Sequence, residues 1–175
     1  VEMQNFYVDQ VGKCLGSFDG PPADSPWGGI AVAASPQDAL EQRWDGSAWV
    51  WPVDVLRQKK ISAVAERFRQ ALDAGFAYGG KMLQIREQDQ ASLTTMGNEA
   101  RWANVANGTW PADFAWRMAD DSFLGLPNAD AMVALAEAAK AEVHRLQRVK
   151  WAHVDALRAL AQAGDIAAYD FESGW

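Results

Sequence analysis

The pattern of apolar and polar positions changes character about a third of the way along this 175-residue chain. Ahead of Pro52 the apolar residues come in short runs bounded by turn residues. Phe6-Tyr7-Val8 and Cys14-Leu15-Gly16-Ser17-Phe18 predict two strands, with Asp9-Gln10-Val11-Gly12 as the turn between them. Residues 19–29 are rich in Gly and Pro and read as loop, and Ile30-Ala31-Val32-Ala33 as a short extended piece. A second hairpin is predicted from Gln42-Arg43-Trp44 and Ala48-Trp49-Val50-Trp51 around Asp45-Gly46-Ser47. Asp-Gly favours such a turn because both of its positions suit positive φ. Trp49 and Trp51 are two apart, which predicts a shared sheet face.

Behind Pro52 the period becomes helical. Ile61, Val64, Ala65, Phe68, Ala71 and Leu72 follow a three-four spacing, so residues 54–74 are predicted as a helix capped by Asp54 and stopped by Gly75. Phe76-Ala77-Tyr78, Gly79-Gly80 and Lys81-Met82-Leu83-Gln84-Ile85 predict a hairpin with a two-glycine turn. A second helix follows over residues 87–106, stopped by Asn107-Gly108. Another hairpin spans residues 114–126, with Phe114, Trp116 and Met118 on one face. Asn128 then caps a helix with no Pro or Gly before Gly164, room for about 35 residues or ~50 Å. Met132, Ala139, Leu146, His153 and Leu160 recur every seventh residue, with Leu135, Ala136, Val143, Val149 and Leu157 on the neighbouring stripe. Such a repeat is the seam of a coiled coil or of long packed helices. The fold class expected is α+β: a β-hairpin-rich N-terminal part, 1–53, and a domain of three helices and two hairpins, 54–175.

Charge sharpens this division. Residues 1–53 hold seven acids and two bases, 54–126 nine of each, and 127–175 seven acids and five bases, so most of the net −7 sits at the front. An acidic chain lacks the basic face that meets phosphates, so nucleic acid is not an expected partner. No apolar run approaches the ~20 residues of a membrane span, and Val1-Glu2-Met3-Gln4-Asn5 does not read as a signal peptide. One Cys excludes an internal disulfide and a Cys-based zinc site.

Catalytic motifs are sparse. His144 and His153 are nine apart, where a metal-binding pair on a helix is three or four apart. His153 reads as a hydrogen-bonded polar marker on the seam, and Cys14 as a small buried hydrophobe. No G-x-S-x-G elbow or phosphate-binding G-x-x-x-x-G-K occurs. Asp120-Asp121 lie in a hairpin turn and Glu87/Asp89 at a strand-to-helix junction, and exposed turn acids are seldom tuned for acid/base work. No catalytic residue, metal or cofactor is expected. Arg57, Lys59, Lys60, Arg67 and Arg69 read as the solvated face of the first helix. The nine tryptophans divide by context: Trp102, Trp116 and Trp151 read as core, while Trp27, Trp44, Trp49 and Trp51 are the candidate partner-binding residues.

Residues 55–175 resemble a recurrent domain of unknown function in bacteriophage tail proteins. The resemblance rests on several pieces in order. Arg57, Ile61, Ala65 and Arg69 lead to Gly75-Phe76-Ala77-Tyr78-Gly79-Gly80-Lys81-Met82-Leu83-Gln84-Ile85, then Asp89-Gln90-Ala91-Ser92-Leu93 and Met96. Trp110-Pro111-Ala112-Asp113-Phe114-Ala115-Trp116-Arg117-Met118-Ala119-Asp120-Asp121-Ser122 follows, then His153, Leu157, Leu160 and Tyr169-Asp170-Phe171-Glu172-Ser173-Gly174-Trp175. The front, with Tyr7-Val8-Asp9, Gly12, Leu15-Gly16 and Trp44-Asp45-Gly46-Ser47-Ala48-Trp49, is similar to tail-fibre assembly proteins. The resemblance implies a non-enzymatic tail component, a chaperone or cap that binds the tail-fibre protein and stays in the virion tail or acts in the host cytoplasm during assembly. Self-association through the long helix is the second expected contact. A fibre-tip adhesin that binds host surface glycan is the alternative reading.

Overall fold

The structure is a computed structural model that describes residues 4–19, 25–106 and 108–175. The predicted start at Val1-Glu2-Met3, part of the predicted loop (20–24) and the Asn107 helix stop lie outside the described residues. The fold is α+β, and the chain divides into two compact units. One is Val1–Lys60 with Leu157–Tyr169, the other Ile61–Ala156 with Asp170–Trp175.

In the first unit, β1 (Gln4–Val8), β2 (Cys14–Asp19) and β3 (Ile30–Val32) form an antiparallel sheet in the order β2-β1-β3. Phe6 faces Ser17 on one side and Val32 on the other, and the β1–β2 register shifts between Tyr7 and Val8. The Asp9 carboxylate closes the turn by accepting from the Val11 and Lys13 amides at 2.9 Å. Gly12 has φ 76°, and a Cβ there would lie 2.0 Å from the Trp44 carbonyl oxygen, so only glycine fits. That contact seats the second hairpin, β4 (Arg43–Trp44) and β5 (Trp49–Val50), because the Trp44 amide donates to the Gly12 carbonyl at 2.8 Å. In its turn only Gly46 takes positive φ, at 106°. Asp45 does not follow the expected two-position pattern. Its carboxylate instead accepts from the amides of Ser47 and Ala48 at 2.8 Å. Ala48 first, then Ser47, holds that carboxyl below its ordinary pKa.

Helix α1 (Val53–Ala74) begins one residue before the expected Asp54 cap, which leaves Asp54 in the first turn, favourable to the helix dipole. Helix α3 (Ala129–Ala159) stops short of the expected end near Gly164, and a short α4 (Ala163–Ala168) restarts with Ile166 fully buried. A side chain from α1 caps the end of α3: Arg57 donates to the carbonyls of Leu157 at 3.2 Å and Leu160 at 2.8 Å. Lys60 donates to the Tyr169 carbonyl at 3.0 Å. Tyr7, Val8, Val32, Leu157 and Ile166 are the buried apolar side chains of this unit.

The second unit follows the expected order: β6 (Phe76–Tyr78) and β7 (Lys81–Leu83), α2 (Glu87–Val105), then β8 (Ala115–Arg117) and β9 (Phe123–Gly125). Asn128 caps α3 as expected, accepting from the Ala131 amide at 2.9 Å. Helix α2 starts at Glu87 as expected, with Arg86 before it, and Asp89 accepts from the Arg86 amide at 3.0 Å. Helices α2 and α3 lie close. Arg101 pairs with Glu137, and Asn104 donates to Asp130 at 2.8 Å. Leu83, Ile85, Leu93, Met118, Met132, Leu135, Ala139 and Leu146 form the core. The first three seam positions of α3 are therefore covered by the chain's own residues.

The chain end belongs to this core. Trp175 packs on Phe68 and stacks on His153 at 5.6 Å, Arg145 donates to the Gly174 carbonyl at 2.8 Å, and Arg67 pairs with Glu172 at 3.2 Å. His153 lies 3.0 Å from the Ser173 carbonyl, as a satisfied seam histidine should.

Candidate functional site

The four tryptophans singled out in the sequence lie in the first unit, and three of them are half-buried. Trp44 and Trp49 face each other across the hairpin, edge to face with ring centres 5.8 Å apart. Phe6 closes on Trp49 at 6.3 Å, and the Trp49 indole donates to the Ala34 carbonyl at 2.6 Å. Trp51 lies beyond β5, and its ring carries the Lys59 ammonium at 4.4 Å. Trp27 is 47 % exposed, yet its ring covers Gly16 and its indole donates to the Ser17 carbonyl at 3.3 Å. These rings chiefly bind the front piece to itself.

The second unit reverses the expectation for its own tryptophans. Trp116 packs against the core as expected. Trp102 and Trp151, expected as core, are 71 % and 57 % exposed. Helical phase explains both. Leu93, Gly97 and Ala100 form the buried stripe of α2, and Trp102, two residues past Ala100, points some 200° away. Trp151 likewise falls between seam positions 146 and 153. Val105 is exposed one turn from Trp102, and His144 and Arg148 flank Trp151 on a shallow surface of α3. Among the described residues Val11, Ile30, Leu40 and Phe123 are also exposed, but Trp102 and Trp151 are the largest apolar side chains more than half exposed. Their phase in the sequence was the signal.

The basic residues of α1 are not a simple solvated face. Arg57 and Lys60 cap carbonyls, Lys59 pairs with Glu41 at 2.5 Å, Arg67 with Glu172, and Arg69 with Glu66. Of the four carboxylates singled out in the sequence, Asp89, Asp120 and Asp121 are held by neighbouring groups. Asp120 accepts from the Ser122 hydroxyl at 2.6 Å and its amide at 3.0 Å. The hydroxyl first, then the amide, holds Asp120 below the ordinary carboxylate range. A general acid needs the opposite shift. Cys14 is half-buried, with its thiol 3.8 Å from the Gly16 carbonyl. Among the described residues no cluster of His, Cys, Asp and Glu is arranged to hold a metal ion, and no helix is long and apolar enough to cross a membrane.

No curated protein and no solved structure matches this chain. Residues 55–173 match the model of a family described as a domain of unknown function (DUF4376), a span that holds both exposed tryptophans, and the chain belongs to that family.

Proposed function

We propose that this chain is a non-enzymatic component of a bacteriophage tail that binds the tail-fibre polypeptide, as an assembly chaperone or as a cap that stays in the virion. The resemblance of its two parts to tail-associated and fibre-assembly proteins supports the tail setting. The observation that carries a binding role is the exposure of Trp102 with Val105, and of Trp151, on the family domain. Tryptophan is among the residues most enriched in the side chains that dominate binding energy. The mechanism is coverage: these rings shield apolar fibre surface that would otherwise aggregate in the host cytoplasm before assembly.

Co-expression with the fibre protein tests the reading. The fibre is expected to be soluble and to co-purify with the wild-type chain. Trp102→Ser and Trp151→Ser should keep the fold, since they lie off the core, and should lose co-purification. A fibre that is equally soluble without this chain would refute the role.

A further inference from the structure

In the second unit a cleft of about 610 Å³ opens between the start of α2 and the β8–β9 hairpin. Its lining includes Gln84, Arg86, Asp89, Trp116, Arg117 and Asp121. The charges are paired, Arg86–Asp89 part-buried and Arg117–Asp121 exposed to solvent. Arg86 donates through Nε to Asp89 at 2.8 Å, and through Nη2 to Gln84 at 2.8 Å and to Asp89 at 3.3 Å. Asp89 thereby raises the Arg86 pKa above its ordinary value. Arg117 lies 3.0 Å (Nε) and 2.8 Å (Nη2) from the same oxygen of Asp121, Oδ1. The second oxygen of that carboxylate has no partner among the described residues.

This arrangement selects a ligand by elimination. Two guanidinium groups and two carboxylates cancel, so an anion meets Asp89 and Asp121 and a cation meets Arg86 and Arg117. An apolar molecule would cover the part-buried Arg86 and Asp89 without replacing their hydrogen bonds to water. What remains is a neutral molecule that both donates and accepts at close spacing. Adjacent hydroxyls do this, bridging a carboxylate oxygen and the neighbouring guanidinium N–H. The half-buried Trp116 adds an apolar wall for the C–H face of a ring.

A second feature falls on the same cleft. Asp121 has φ 62°, and it is the one non-glycine residue with positive φ among the described residues. It sits in the hairpin where Met118 and Ser122 close the loop, a position open to Gly, Asn or Asp. Of these, aspartate alone brings a carboxylate, and it lines the cleft.

We propose that the cleft between α2 and the β8–β9 hairpin is a saccharide-binding site, with Asp121 and Arg117 gripping vicinal hydroxyls and Arg86 and Asp89 holding the opposite edge. It stands apart from the tail-fibre reading, because it needs no fibre and uses neither Trp102 nor Trp151.

The test is a titration of the full ¹⁵N-labelled chain, followed by amide and side-chain NMR shifts. The probes are glucose, galactose, mannose, N-acetylglucosamine and the tetrasaccharides of glucose and N-acetylglucosamine. At least one is expected to give saturable shifts at the Arg86 and Arg117 Nε–H and the Trp116 indole. Asp121→Asn keeps a residue that tolerates positive φ, so the fold holds, and should weaken binding about tenfold or more. Asp121→Gly relaxes the backbone and removes the carboxylate, and should weaken binding as much. The absence of saturable shifts with every saccharide overturns the proposal, as does binding that both variants leave unchanged. Shifts from acetate or ethylammonium with none from the sugars assign the cleft to an ionic ligand and overturn it too. None of these results bears on fibre binding.

Discussion

Replacing Gly97 with alanine probes how closely α2 and α3 approach. Gly97 is buried in α2, and a Cβ built on it would lie 2.7 Å from the Cβ of Ala136 on α3. Carbon atoms in contact sit at about 3.5–4.0 Å, so the helices would have to separate by about an ångström. The Arg101–Glu137 pair and the Asn104–Asp130 hydrogen bond tie the two helices beside that point and resist the separation. Two effects oppose each other. Alanine stabilises a helix interior by about 1 kcal/mol over glycine, while overpacking a closed contact costs about 1–3 kcal/mol. Strain is expected to win, leaving Gly97→Ala less stable by about 1 kcal/mol. Ala136→Gly alone should cost about 1 kcal/mol through helix propensity. Combined, the two changes move the methyl from one helix to the other and remove the clash. The double variant should therefore exceed the sum of the single ones by about 1–3 kcal/mol. Urea unfolding followed by circular dichroism measures this, as a shift in midpoint at constant slope. A Gly97→Ala protein more stable than wild type, with effects that simply add in the double variant, would refute the close packing.

Other expectations follow from single interactions. The Tyr7 hydroxyl is buried and finds no partner among the described residues, so Tyr7→Phe should leave the thermal midpoint unchanged or raise it, whereas a clear fall would reveal a hydrogen bond there. Asn128→Ala removes the cap on α3 and should cost about 1 kcal/mol in denaturant titration. Glu142 is held below its ordinary value of 4.5 by its hydrogen bonds to Arg145. Because the folded pKa is the lower one, its contribution is full above that value and is lost as the pH falls through the folded pKa. Glu142→Gln should therefore be less stable than wild type at neutral pH, with the gap closing in acid. A gap constant with pH would show that the carboxylate charge is not the cause.

Local chemistry was enough to locate most elements of this fold. The Gly79-Gly80 turn, the Asn128 cap, the Gly75 stop and the three-four spacing of α1 each act within a few residues of chain, so the sequence by itself determined where strands and helices begin and end. Where it misled, remote groups were involved. Helix α3 ends at Ala159 and not near Gly164, and Arg57, about a hundred positions earlier, caps the carbonyls of Leu157 and Leu160 there. The basic residues of α1 read as a solvated face because their partners Glu41, Tyr169 and Glu172 are far along the chain. The tryptophans show the same division. Composition marked them as a group, and Trp102 and Trp151 were expected as core although the phase of α2 and α3 sets both off the buried stripes. Only the tertiary structure decided that Trp44 and Trp49 are consumed by each other and by Phe6. It also brought Arg86 and Asp89 of one element opposite Arg117 and Asp121 of another. A side chain's burial depends on what the rest of the chain lays over it, and that is set by packing between distant segments.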